Sequence, residues 1–219
     1  MHIPDGLMTP EAVAAGWLVA LVALAFCILK VNRRVDDKVI PFMAILAAGI
    51  FVAQMINFPV WGGTTGHLLG AALATILLGP YAAVIVISVI LIIQCLVFGD
   101  GGLTALGLNI TNMAVVGCLS SWLIFRPISR RSERAGVLLA AWTSVFVAAA
   151  ITAAELTISY DVSGGAYGIV GTLSIPLMLG YHALIGIGEA VITSAIFIYL
   201  SKVAPDTLRM RIGKKETAS

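Results

Sequence analysis

The chain begins "MHIPDG", and its first two residues bring together three nitrogen donors within one short stretch. The free amine of Met1 is one, the His2 amide is a second once deprotonated, and the His2 imidazole Nδ1 is a third. Amine and amide close a five-membered chelate ring; amide and Nδ1 close a six-membered ring fused to it. Such fused rings are nearly flat, and an all-nitrogen plane suits Ni(II) or Cu(II) better than tetrahedral Zn(II) or oxygen-seeking Mg(II). One corner of the plane stays open, and His67 in "GGTTGHLLG" is the best donor to close it. The competing reading is equally concrete: an N-terminal His can be a solvated residue, and His67 can cap or pack a helix end.

Such chemistry needs elements that bring residue 1 to residue 67. Of 219 residues 60% are hydrophobic and 11% charged, with a mean hydropathy of +1.04. A water-soluble domain cannot hide that much apolar surface, so the composition predicts a polytopic membrane protein. Spanning helices need roughly 20 apolar residues each. They are expected over about residues 10–31, 40–58, 108–125, 136–159 and 177–203. The long apolar run 67–98 divides at Gly79-Pro80 into a short helix and a full one, giving an all-α bundle of seven. Residues 1–9 are the candidate metal-binding segment, 10–203 the helices and 204–219 a tail of the same single domain.

Orientation follows from Lys and Arg placement. "KVNRRVDDK", "RPISRRSER" and "RMRIGKK" are basic, whereas "PVWGGTTG", "GDGGLTALG" and "SYDVSGGAYGIV" carry no Lys or Arg. Seven crossings put the basic clusters together in the cytoplasm with the C-terminus. The N-terminus, folded back into the bundle, then shares the outer face with His67. No basic n-region precedes the first apolar run, so no cleaved leader is expected. Cys27, Cys95 and Cys118 stand singly in apolar runs and read as packing residues.

"MHIPDG", "GGTTGHLLG" and "GLTALGLNITNMA" together resemble the CbiM/NikM family, the substrate-binding S components of energy-coupling-factor (ECF) transporters for nickel and cobalt. Thr65 and Leu108 stand where the family commonly has Ser and Ala. The resemblance covers nearly the whole chain and implies Met1, His2 and His67 as ligands of a transported Ni(II) or Co(II), nickel slightly preferred. It also implies a transmembrane coupling (T) protein, two ATP-hydrolysing subunits and a small additional membrane subunit as partners in a prokaryotic inner membrane. No resident cofactor, nucleic acid or enzymatic reaction is implied. The chain has no G-x-x-x-x-G-K-[ST] loop of its own.

Asp5 is expected to reach back to the amine or the His2 ring, and Asn109 and Asn112, three apart, to hold the N-terminal segment. Asn57 falls near the same outer end, and interhelical bonding is the alternative for each Asn. Glu155, His182 and Glu189 lie inside predicted spans, where a hydrogen-bonded network, a second metal site or a proton relay are the options. Metal binding is expected to survive replacement of His182 or Glu189. Gln54 and Gln94 take the structural, hydrogen-bonded reading as well. Rival functions are a stand-alone metal channel or secondary transporter, or an intramembrane enzyme using the three ionisable residues.

Overall fold

A computed structural model describes residues 1–32, 39–60 and 64–205. The basic stretch 33–38 and nearly all of the tail, residues 206–219, lie outside the described residues, as do residues 61–63.

Helix α1 spans Pro10–Asn32. Pro10 suits a first turn, whose missing N–H costs nothing there, and the Thr9 hydroxyl accepts from Ala12 N at 3.3 Å. Its buried residues Gly16, Ala20, Cys27 and Val31 form one narrow stripe, while Leu18, Leu21, Val22 and Leu29 face outward. That pattern fits a helix with lipid on most sides. Helix α2 covers Val39–Met55. It ends before the expected residue 58 because Phe58–Val60 pairs antiparallel with Thr64–Gly66, Phe58 opposite Gly66. The fold is thus mainly helical with one short β-ribbon.

Helix α3, Ala71–Leu78, has eight residues, every one buried. At 1.5 Å per residue it is about 12 Å long, too short to cross a bilayer alone. Gly79 (φ +86°) turns the chain and Pro80 opens α4, Pro80–Phe98, whose last turn, Gln94–Phe98, is π-helical. Helix α5, Leu106–Ile128, carries a π-helical stretch at Ile110–Val116. Helix α6 is Glu133–Val162, its N-terminus capped by Ser132, and α7 is Gly171–Val203. Among the described residues five helices, α1, α4, α5, α6 and α7, are long and apolar enough to span, which makes this a multi-pass membrane protein.

The connections gather at two ends. Gly102 N donates to Ile3 O at 2.9 Å, Gly168 N to Leu7 O at 2.7 Å, and Asn57 to Asp100 at 2.8 Å. Residues 1–9, the ribbon, and the 99–105 and 163–170 connections therefore share one end. At the other, Ser132, Glu133 and Arg134 line a depression with Ser201 and Lys202.

Candidate metal centre

Residues 1–9 form no helix; they fold inward and are pinned along their length. Met1, His2 and Ile3 are at most 3% exposed. Asn109 treats Ile3 as a strand neighbour would, its Oδ1 accepting from Ile3 N at 2.8 Å and its Nδ2 donating to Ile3 O at 3.1 Å. The connection below can come this close only because it lacks side chains. A Cβ on Gly102 would strike the Asp5 main-chain nitrogen, and one on Gly101 (φ +90°) would lie 3.2 Å from His2 Cδ2.

The donors converge at the buried end of this segment. The Met1 amine donates to the Thr65 carbonyl and to Thr65 Oγ1 at 3.3 Å. The rings of His2 and His67 lie 4.7 Å apart, centroid to centroid, inclined by 32°. His2 Nε2 donates to Gln94 Oε1 at 3.1 Å, which leaves the lone pair on Nδ1. That nitrogen faces Thr65 Oγ1 at 3.5 Å and Asp100 Oδ1 at 3.4 Å. His67 Nδ1 donates to Leu68 O at 2.7 Å. Its lone pair is therefore on Nε2, which is buried with no hydrogen-bond partner. In each ring one outer hydrogen bond selects the tautomer and leaves the lone pair on the other nitrogen.

Burial also removes protons from these donors. It lowers the Met1 amine to about 4 against a weak opposing pull from Asp100, and His2 to about 3, aided by the amine. Burial likewise holds His67 well below the ordinary imidazole range. At neutral pH the amine and both imidazoles are uncharged, as ligation requires. Among the described residues no group of three or more His, Cys, Asp or Glu side chains could hold a metal. A cation bound here would have to draw on main-chain nitrogen.

Of the expected supporting residues, Asn109 meets the N-terminal segment and Asn57 reaches it through Asp100. Two others are placed differently. Asp5 does not turn back to the amine or the ring; its carboxylate takes the Thr104 hydroxyl at 2.5 Å and main-chain N–H groups of Thr104 and Leu103. Those bonds, Thr104's hydroxyl foremost, hold its carboxyl below the usual range. Asn112 points away, donating to Glu155 Oε2 at 2.5 Å and Thr152 Oγ1 at 3.2 Å. The π-helical step is the reason: with i→i+5 bonding, three residues cover less of the circle than in an α-helix, so Asn109 and Asn112 no longer share a face.

Sequence reasoning missed Gln94, Asp100 and the direct role of Thr65. A Gln in the middle of a long apolar run is itself a signal, since an amide in lipid needs a partner. Among the described residues no hydrogen bond joins any two of Glu155, His182 and Glu189. Glu155 pairs with Asn112, His182 with Met178 O one turn back, and Glu189 with the main chain of Leu69 and Gly70.

A family profile described as "Cobalt uptake substrate-specific transmembrane region", CbiM, matches residues 2–207. A fused NikMN relative from Archaeoglobus fulgidus is 38% identical over 218 residues, covering 100% of this chain and 71% of its own. The fused nickel transport protein NikMN of Rhodobacter capsulatus is 35% identical over 224 residues, 96% of this chain and 65% of that protein. The crystal structure of a truncated transition metal transporter superposes with a TM-score of 0.88 at 36% identity, over 92% of this chain and 99% of that one. The S component of a bacterial ECF transporter shares the fold at 19% identity, with a TM-score of 0.50 over 79% of this chain and 98% of that one. These matches, with the buried amine and paired imidazoles, place the chain in the CbiM/NikM family of nickel and cobalt transport proteins.

Proposed function

We propose that the protein captures Ni(II), or Co(II), with the Met1 amine, the His2 amide nitrogen, His2 Nδ1 and His67 Nε2 in one plane. It serves as the substrate-specific subunit of an ECF importer. The observation that carries this reading is His67 Nε2: deprotonated by its own Nδ1–H bond, buried, and without a partner. A buried acceptor left unsatisfied costs free energy of about 1–3 kcal/mol, and a cation is the partner that would repay it. Asp100 adds a carboxylate beside the donors, which favours a cation in a site where all three preformed donors are neutral. Square-planar nitrogen favours nickel over the hard cations, and Co(II) can use the same donors.

The N-terminus faces outside and the C-terminus the cytoplasm of a prokaryotic cell. The basic residues 126–134 at the end opposite Met1 support that orientation. Energy for release comes from a T protein and two ATPase subunits, with a small additional membrane subunit. The fold shared with an ECF S component supports these partners.

The chelate is tested by placing Ala-Pro ahead of Met1, through a leader cleaved to leave that dipeptide. The Met1 nitrogen is then an amide instead of an amine, and Pro, which has no N–H to give up, cannot carry a chelate back to the new terminal amine. Calorimetry on the purified protein should show Ni(II) affinity weakened by more than about 100-fold, beyond the 10–100-fold cost of losing an outer hydrogen bond. Native affinity in the extended protein would refute the site.

A further inference from the structure

Helices α2 and α7 stand apart around a cavity of about 260 Å³, walled by Phe42 and Ile50 of α2 and by Ile192 and Ile196 of α7. Leu68 and Gly70 line it too, so the non-helical segment that links His67 to α3 borders this gap. Backbone in such a place must find protein partners, because lipid offers none. Gly70 is the N-cap of α3, at φ +71° and with no side-chain cap of its own. The partners come from the two walls. From α7, Glu189 Oε2 accepts from Leu69 N at 2.7 Å and Oε1 from Gly70 N at 2.6 Å. From α2, Gln54 Nε2 donates to Leu69 O at 2.6 Å.

The peptide between Leu68 and Leu69 joins this grip to the metal centre. Its N–H donates to the Glu189 carboxylate; its C=O accepts the Nδ1–H of His67. Glu189, one peptide plane, the His67 ring and the empty-handed Nε2 therefore form a single polarised line. Metal-binding imidazoles commonly donate their second N–H directly to a carboxylate, which fixes the ring and raises its basicity. Here the same arrangement has a peptide inserted, and hydrogen bonds in series polarise one another in a low-dielectric interior.

We propose that Glu189 is a positioning residue for His67, acting through the Leu68–Leu69 peptide, with Gln54 steadying the same segment from α2. This rests on His67 being a ligand as described above. It replaces the expectation that metal binding is indifferent to Glu189, and it gives a use to a carboxylate otherwise unexplained inside a span.

The test is a double-mutant cycle on the full chain, reading Ni(II) affinity by competition with a chelating dye and the visible absorption of the loaded protein. In Glu189→Gln the amide has one oxygen for two N–H groups. Affinity should fall by about 10–100-fold, as for loss of an outer-shell partner, and the absorption band should move because His67 is no longer held square to the metal. His67→Ala should lose more, and the double variant should be no weaker than His67→Ala alone, because Glu189 acts only through that ring. Wild-type affinity and spectrum in Glu189→Gln, or a double variant weaker than His67→Ala by the full single-variant factor, would overturn the proposal. Should Glu189→Gln fail to fold, Glu189→Asp keeps both oxygens but falls a methylene short; the cycle must again be non-additive, with a smaller loss. If His67→Ala itself binds Ni(II) like the wild type, the ligand assignment fails first, a result distinct from the others.

Discussion

Residues 1–9 meet their surroundings through directed hydrogen bonds, to Thr65, Gln94, Gly102, Asn109 and Gly168. Helices α6 and α7 meet through small side chains instead. Buried Ala141 of α6 clusters with Ala190 of α7, and Gly186 of α7 lets Trp142 close in; Trp142 Nε1 donating to Ala183 O at 3.1 Å is an added directed contact. Directed bonds fix position to fractions of an ångström and fail abruptly when one partner moves. Close-packed small residues hold two helices together with many weak contacts and absorb a small change by sliding. A site that must aim several nitrogens at one point needs the first kind; the scaffold that carries it needs only the second.

Gly102→Ala should break that contrast most severely. The new Cβ would press on the Asp5 main-chain nitrogen and on its carboxylate, and main chain cannot rotate aside as a side-chain tip can. The segment has to lift from the 99–105 connection, dragging the donors from His67. Ni(II) affinity should fall by about 100-fold or more, at or beyond the upper end of outer-shell losses. The helical circular dichroism should be unchanged, because the helices do not depend on this contact. Retention of full affinity would show that the close approach does not position the site.

The same contrast governs how much could be seen in the sequence. Apolar length announced α1, α4, α6 and α7, and Gly79-Pro80 announced the break that leaves α3 short. Those features depend on composition and on two residues with restricted or unusual backbone, which are local properties. Met1 and His2 were singled out from chelate geometry at a chain terminus, also a local property, and His67 as the residue to fill the corner it leaves; the structure brings these three together. Of what holds them, Asn109 was legible too, but most was not. Gln94 and Asn112 have their directions set by π-helical turns at Gln94–Phe98 and Ile110–Val116, and these turns have no periodic signature. The Phe58–Gly66 ribbon is three residues per strand, too short to show alternation. Glu189 was visible as a costly charge, but its partners are main-chain N–H groups 120 and 119 residues away, and every residue type except Pro has one.

Proton count sharpens the comparison, with a smaller effect than displacing the segment. A Met-His terminus in water would give up protons from the amine near its usual 8 and from imidazole near 6.5 as well as from the amide. Burial lowers the amine to about 4 and His2 to about 3, and His67 in the same direction. A base whose pKa lies below the ambient pH has no proton to release. Between pH 6 and 8 only the amide should give one up, so Ni(II) affinity should rise about tenfold per pH unit, the slope of a single proton. Below about pH 4 the amine also becomes protonated, and the fall should steepen. Calorimetry in buffers of different ionisation enthalpy counts released protons directly. Two or more at pH 7 would mean that the amine is charged, and hence solvated, before metal arrives.

Gly186→Ala, on the packed side of the contrast, should have the smallest consequence for the site. Its Cβ would stand 2.9 Å from Trp142 Cδ1 and 3.3 Å from Trp142 O, so the indole and the helix both have to give by tenths of an ångström. Overpacking of this kind costs about 1–3 kcal/mol, and in a chain of this size each kcal/mol lowers the midpoint of thermal unfolding by about 2–4 °C. The Trp142–Ala183 hydrogen bond stretches in the process, adding to that loss rather than offsetting it. Yet the strain arises between α6 and α7, and none of the donors hangs from Trp142. Ni(II) affinity measured well below the unfolding midpoint should therefore stay within about twofold of wild type, as expected for sites that share no partners. A large loss of affinity in Gly186→Ala would mean that helix spacing is read out at the metal. Glu189, three residues along α7 and gripping the His67 segment, would be the route by which it is.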